Sequence, residues 1–224
     1  MSNFGFHRLR VVNPYQVAFR QARSAVGAAD VLASAEEYAT LAEAVADCVL
    51  VVGTTAVRHR DLQHPLHSLG DDAGNHIRQA LRSDRVGLLF GSEKAGLSNE
   101  DLCHCRWLLH IPTRDGHISM NLGQAVAVCL YELARSGKSD ASSEVTEGAK
   151  PATAGDEERV TLSLLEALRA SGYMNPGMEQ TIDMKVRRMV RRLELCAPDA
   201  DAWLGMLRQI IWKLTHDKQN ESSD

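Results

Sequence analysis

Apolar runs and polar breaks alternate along the first 135 residues with the spacing of an α/β protein. Leu9 to Val12 reads as a short strand stopped by Asn13-Pro14. Tyr15 to Val26 is Ala-rich and helical, with Gly27 as its stop. Leu41 to Ala46 is a second helix. Cys48 to Val52 is a continuous apolar run of the buried-strand type, halted by Gly53-Thr54-Thr55. A helix over Ala73 to Leu81 and a strand over Val86 to Phe90 follow. Ser98-Asn99-Glu100-Asp101 has the wording of a capped short helix, and Trp107 to Ile111 is a strand ended by Pro112. Asn121 to Ala134 is apolar nearly all round, which predicts a buried helix. Strand–helix alternation implies a parallel sheet.

The pattern then changes. Residues 136–156 are small and polar, with one Val and no larger aliphatic or aromatic residue, so they read as a flexible linker. Beyond it, helical periodicity returns in three stripes. Leu162, Leu165 and Leu168 form the first. Met184, Val186, Met189, Val190 and Leu193 form the second. Trp203, Leu204, Leu207, Ile210, Ile211 and Leu214 form the third. The expected organisation is an α/β domain over 1–135, the linker, and a small helical domain over 157–218, marginal in size for a core of its own.

Composition narrows the class. The 224 residues include no run of 18 apolar positions, and MSNFGFHRLR has no apolar signal-peptide core. Five scattered Cys suit free thiols in a reducing cytoplasm. Cys103-His104-Cys105 with His110 invites a zinc reading, but the C-x-C spacing is short and no second Cys pair follows, so no metal is expected. The net charge of −4 argues against a uniformly basic surface. Cations are nevertheless clustered. His7, Arg8, Arg10, Arg20 and Arg23 precede the first acid, Asp30, and Lys185, Arg187, Arg188, Arg191 and Arg192 fall within eight residues. Both clusters are candidate phosphate-facing patches; the plainer reading of the second is a solvated helix face.

Candidate chemistry sits where strands break into loops, since open α/β sheets bind ligands at the carboxyl ends of their strands. Gly91 and Gly96 bracket Glu93, an arrangement that suits either a polar site group or a tight turn with an exposed acid. Thr54-Thr55-Ala56 is open in the same way. Ser119 and Asn121 are candidate polar groups or helix N-caps, and His117 is a possible base or merely a solvated loop residue.

FGSEKAGLS and HIPTRDGHISMNLGQAVAV, in that order, resemble the second and third motifs of the SpoU/TrmH family, the SPOUT-superfamily RNA ribose 2′-O-methyltransferases. VVNP, DVLASA and VVGTTAVR precede them in the family's order, so the resemblance runs from Asn3 to about Leu214. Within the family, the TrmJ-like tRNA ribose methyltransferases carry a short helical extension like this one. The resemblance implies a parallel sheet ending in a trefoil knot, a homodimer, a cytoplasmic location and S-adenosylmethionine as cofactor. It places the cofactor against Thr54, Thr55, Ala56, Gly91, Glu93, Gly96, Leu97, Ile111, Ile118, Ser119, Met120 and Asn121, with Glu93, Ser119 and Asn121 in catalytic roles. It implies tRNA as substrate, modified at the ribose of nucleotide 32, a cytidine or uridine of the anticodon loop; the charge cluster makes Lys185, Arg188, Arg191 and Arg192 the candidate RNA-binding residues. The alternatives are another rRNA or tRNA ribose methyltransferase of the same family, or a non-catalytic RNA- or S-adenosylmethionine-binding remnant. One departure bears on this. The family's first motif is an Asn-x-Gly segment followed by an Arg held to activate the 2′-hydroxyl, and Met1-Ser2-Asn3-Phe4-Gly5-Phe6 matches only its tail. The chain as written is therefore expected to be nearly inactive.

Overall fold

The computed structural model describes residues 1–13, 29–56, 63–114, 120–135, 149–174 and 177–221. The helix expected over Tyr15 to Val26 lies outside them. Strands β1 (Arg10–Val12) and β2 (Glu36–Tyr38) form a parallel pair. Strands β3 (Leu50–Thr54), β4 (Leu66–Ser68), β5 (Val86–Leu89) and β6 (Trp107–His110) form a second sheet in the order β4-β6-β3-β5, parallel throughout. Helices α1 (Ala29–Ala33), α2 (Leu41–Val45), α3 (Asp71–Ser83), α4 (Asn99–Leu102) and α5 (Leu122–Ala134) belong to this half, and α6 (Ala154–Ala170), α7 (Glu179–Arg192) and α8 (Ala197–Glu221) to the other.

The apolar run of β3 is continuous because both of its faces are covered, as parallel strands require. Successive side chains alternate between faces. Val51 and Leu108 point with Leu89 and Leu97 towards Val45 of α2 and Leu102 of α4. Leu50, Val52, Trp107 and Leu109 point the other way, against Ile77 of α3 and Cys129 and Leu133 of α5.

Helix α5 is not fully buried. Cys129, Leu130 and Leu133 supply its sheet-facing stripe, whereas Val128 is 37% and Tyr131 55% exposed. A helix lying on one side of a sheet covers one stripe only, so composition overstated its burial.

Two members of the N-terminal basic cluster, Arg8 and Arg10, are neutralised. Arg8 Nε donates to Glu36 Oε1 at 2.6 Å. Arg10 donates to both Asp47 oxygens and to the Ala44 carbonyl, which ties β1 to α2. These pairings hold Glu36 down at about 2, chiefly through Arg8, and hold Asp47 well below the carboxylate range, chiefly through Arg10. Arg20 and Arg23 lie outside the described residues.

The helical half joins the sheet half through the first turn of α6. Thr153 caps it: its hydroxyl accepts from Asp156 N at 3.2 Å, and its own N–H donates to the Asp156 carboxylate at 2.9 Å. The helix therefore begins at Ala154, inside the stretch read as a linker, and Ala152 is fully buried. Two N–H groups of that turn, Ala154 and Gly155, donate to the carbonyls of Cys48 (2.7 Å) and Ala46 (2.9 Å), so the α/β half satisfies helix donors that lack intrahelical partners. A β-carbon on Gly155 would come within 2.9 Å of the Ala46 oxygen, so this approach needs glycine.

The three C-terminal helices share a core that includes Val160, Leu165, Val186, Val190, Leu204 and Leu207. The expected stripes are rotated in places. Leu162 is 53%, Met189 42% and Leu193 46% exposed, while Val160 and Thr161 face inward. A network of ions adds to this core. Arg191, 2% exposed, donates to Glu157 Oε2 at 2.7 Å and to the Ala154 carbonyl at 2.9 Å. Arg106, just ahead of β6, holds the other Glu157 oxygen at 2.9 Å. Arg187 binds Glu158 at 2.8 Å and also pairs with Asp183.

Candidate active site

Three neighbouring strands, β5, β3 and β6, end at the same edge of the sheet, and their loops converge there. The Thr54 hydroxyl donates to the Leu89 carbonyl at 2.8 Å and Thr55 N to the Leu109 carbonyl at 3.0 Å, so the loop after β3 is fastened to both neighbours. The loop after β5 closes on itself. Gly96 N donates to the Ser92 carbonyl at 2.8 Å, and Gly96 has φ +69°, a left-handed conformation that favours glycine. Gly91 lies so close to the returning arm that a β-carbon would fall 2.0 Å from the Gly96 carbonyl carbon. Leu97, 7% exposed, anchors the loop in the core, and Ser98 then caps α4 in a reciprocal pair with Asp101.

Glu93 is exposed at the tip of this loop and reaches the start of α5. Asn121 Nδ2 donates to Glu93 Oε1 at 2.9 Å, and Leu122 N donates to the same oxygen at 3.4 Å. The Asn121 carbonyl oxygen accepts from Gly123 N at 2.9 Å and Gln124 N at 3.4 Å. Asn121 is therefore an N-cap, one of the two readings its position allowed, and it is also the partner of Glu93. A carboxylate at a helix N-terminus is also favoured by the helix dipole.

These loops enclose a cleft of about 360 Å³. Of the residues singled out in the sequence, Thr54, Thr55, Ala56, Gly91, Glu93, Gly96, Leu97, Ile111 and Met120 line it. Asn121 stands beside it through Glu93. Ile118, Ser119 and His117 lie outside the described residues. Sequence reasoning missed Phe90, Leu102, Leu109 and Ala125 in the walls, and Ser92, Lys94, Ala95 and Thr113 at the rim. Phe90 was findable, since it closes an expected strand, and Leu109 lies two residues before the end of another. Apolar walls and one oriented carboxylate make a small-molecule site of the usual kind.

The α7 cations do not line this cleft. Lys185 and Arg192 are exposed and Arg188 is half-buried. Arg187 and Arg191 are buried in the carboxylate network, so they are not phosphate-facing groups. Cys103, His104 and Cys105 are buried too. Burial pushes both thiols up, away from the thiolate a metal requires, and burial pushes His104 down to about 4. Among the described residues no group of three His, Cys, Asp or Glu is placed to hold a metal ion. None of their helices is long and apolar enough to cross a membrane.

Comparison with known proteins agrees with this geometry. Residues 1–131 match the SpoU rRNA Methylase family. A tRNA (cytidine/uridine-2′-O-)-methyltransferase TrmJ of Sodalis glossinidius is 31% identical over 99% of this chain and 86% of its own length. The protein of the same name in Yersinia enterocolitica is 33% identical over 94% and 83% respectively. The crystal structure of TrmJ from Z. mobilis ZM4 superposes with a TM-score of 0.78 at 29% identity, over 94% of this chain and 89% of that one. A putative methylase family protein from Neisseria gonorrhoeae gives a TM-score of 0.56 at 33% identity, over 69% of this chain and 80% of that one. With its parallel sheet, its converging strand-end loops and these relatives, the chain belongs to the SpoU family of RNA methylases and is TrmJ-like.

Proposed function

We propose that this protein transfers a methyl group from S-adenosylmethionine to the ribose 2′-oxygen of tRNA, at the cytidine or uridine of nucleotide 32. The observation that carries the reading is the composite cleft at the ends of β3, β5 and β6, with Glu93 tied to Asn121 across it. The cofactor fits these residues. The cleft volume of about 360 Å³ lies within the roughly 300–1,000 Å³ of small-molecule sites. Phe90, Leu97, Ile111 and Leu122 offer apolar walls to an adenine ring. When bound, the cofactor supplies an already activated methyl group. The chain's own residues then position the acceptor hydroxyl and exclude water, which is where orientation contributes most. Asn121 fixes the Glu93 carboxylate, an acceptor able to orient a ribose hydroxyl or hold a cationic group. Ser119, two residues before Asn121, is assigned the same orienting role. The relatives named as tRNA (cytidine/uridine-2′-O-)-methyltransferases support tRNA as the substrate. A trefoil knot, a homodimer and a cytoplasmic location belong to the same reading.

The test is methyl transfer from labelled S-adenosylmethionine to an unmodified tRNA transcript, with mass spectrometry of the digested product. A 2′-O-methyl group at nucleotide 32 is expected, formed slowly, because the Arg of the family's first motif is absent from these 224 residues. Transfer to ribosomal RNA in place of tRNA would move the substrate within the family. Cofactor binding by calorimetry with no transfer to either RNA would overturn catalysis and leave a binding protein.

A further inference from the structure

Most of the described cations in the α/β half are already engaged. Arg8, Arg10 and Arg85 pair with Glu36 and Asp47, Arg106 pairs with Glu157, and Arg78 donates to the Glu132 carbonyl and to Asn75. Lys94 differs from these. It is exposed, it has no carboxylate partner among the described residues, and it is the one cation among those that line the cleft. Its neighbour Glu93 is the one acid there, and that carboxylate is turned to Asn121 and to Leu122 N. The backbone that carries both is fixed. Ala95 N donates to the Ser92 hydroxyl at 3.2 Å and Gly96 N to the Ser92 carbonyl at 2.8 Å, so residues 92–96 form a closed turn. A charged acceptor and a charged donor, adjacent in sequence and not paired with each other, therefore stand side by side on one wall of the cleft.

Such a pair suits a ligand with the opposite pair on neighbouring atoms. In RNA the 2′-hydroxyl, a donor, and the 3′-phosphate, a charged acceptor, sit on adjacent ribose carbons. With a ribose hydroxyl on Glu93, the ammonium of the next residue falls where the vicinal phosphate lies. Lysine fits this place, because it carries a compact charge with three donors on a flexible stem and needs no fixed fork geometry. The turn is held before any ligand arrives, so binding has only the lysine stem to order. We propose that Lys94 holds the phosphodiester on the 3′ side of the acceptor ribose, and that Glu93 and Lys94 together read a 2′-hydroxyl and its vicinal phosphate as one unit. This wall then selects ribose over deoxyribose at the reacting nucleotide, since the 2′-hydroxyl is what separates the two. The proposal rests on the reading of a tRNA ribose as acceptor, and it adds which side chain aligns that nucleotide.

The test is binding of an unmodified tRNA transcript, read by fluorescence anisotropy across a range of salt, beside calorimetry of S-adenosylmethionine alone. Lys94→Gln is expected to weaken tRNA binding about tenfold, the loss typical of one charge-assisted contact. It should lower the slope of log K against log salt by about 0.7 to 0.9. Lys94→Arg should retain most of the affinity. Arg82→Gln removes the same charge from the exposed side of α3 and should leave both readings unchanged. The phosphate is located with a tRNA ligated from synthetic pieces that carries a neutral methylphosphonate 3′ of nucleotide 32. This RNA should bind the parent about tenfold more weakly than the natural linkage does, with no further loss in Lys94→Gln, as coupled groups behave. Cofactor binding should be the same in the parent and in Lys94→Gln. Unaltered tRNA affinity and slope in Lys94→Gln would overturn the proposal, as would an equal loss in Arg82→Gln or independent losses from Lys94→Gln and the methylphosphonate. A tenfold loss of cofactor binding with no RNA present would also overturn it, and would assign Lys94 to the carboxylate of the cofactor. If the parent methylates tRNA while Lys94→Gln binds it unchanged, this contact falls and the methyltransferase reading stands. If binding is coupled as expected but no methyl group is transferred, the reverse holds.

Discussion

Gly91 and Gly96 lie in one loop, yet they are glycines for different reasons. At Gly91 the obstacle is contact, since a β-carbon would overlap the backbone of Gly96 and Leu97. At Gly96 nothing lies within 4 Å, and the constraint is the positive φ. Gly91→Ala should therefore force the loop open and displace the cleft wall, so that calorimetry detects cofactor binding weakened tenfold or more. Gly96→Ala should cost about 1 kcal/mol of stability and retain most of the binding. Equal binding by parent and Gly91→Ala would show that the loop does not wall the ligand. His104 offers a residue-scale test of another kind. Its folded value of about 4 lies below the ordinary 6.5, mainly through burial, while Glu158 pulls it up and Arg187 and Arg191 push it down. The folded state thus binds fewer protons than the unfolded state between these values. The contribution is fully present above about pH 6.5 and is lost as pH falls towards 4, with an upper size on the order of 3 kcal/mol. Denaturant titrations of the parent and of His104→Gln should diverge in slope over that window. Parallel pH profiles would mean that His104 titrates normally in the fold.

At the scale of elements, the question is what holds α6 and α7 to the sheet. Two backbone bonds from the first turn of α6 fix where it starts, and the Arg106–Glu157–Arg191 chain fixes how it is turned. Burial pushes the Glu157 carboxyl up, against the pull of the two arginines. Removing one partner leaves a buried charge exposed to that penalty. Arg191→Ala should therefore destabilise by about 3–5 kcal/mol. Arg191→Met with Glu157→Leu should recover much of the loss, since an apolar pair of similar volume avoids desolvating either ion. Thermal denaturation of the three proteins measures this, and a double variant no better than Arg191→Ala would mean that Arg106 and the Ala154 carbonyl depend on the same charges.

For the whole molecule, what could be read in advance follows the physics of each signal. Continuous apolar runs located β3, β5 and β6, because a strand covered on both faces has no polar alternative. The loops after them could be read as a site because ligands collect at strand ends, and Asn121 was legible as a cap. Charge gave less. Five cations in eight residues do not reveal which face they occupy, so Arg191 went from a proposed RNA ligand to a buried structural ion. Arg8 and Arg10 failed likewise, as their partners Glu36 and Asp47 are distant in sequence. The largely apolar α5 was ambiguous in a different way. Its sheet-facing stripe needs only Cys129, Leu130 and Leu133, which leaves Val128 and Tyr131 on the outside, with Phe4 edge-on to Tyr131 at 6.1 Å. Apolar surface on a helix beside the cleft loops is what an interface between two copies would cover. We therefore expect a homodimer by sedimentation at micromolar concentration, and Tyr131→Glu, which places a charge in that patch, should shift it towards monomer without lowering the unfolding temperature of the isolated chain. A parent that sediments as a monomer, or a Tyr131→Glu protein that remains fully dimeric, would remove α5 as the pairing surface.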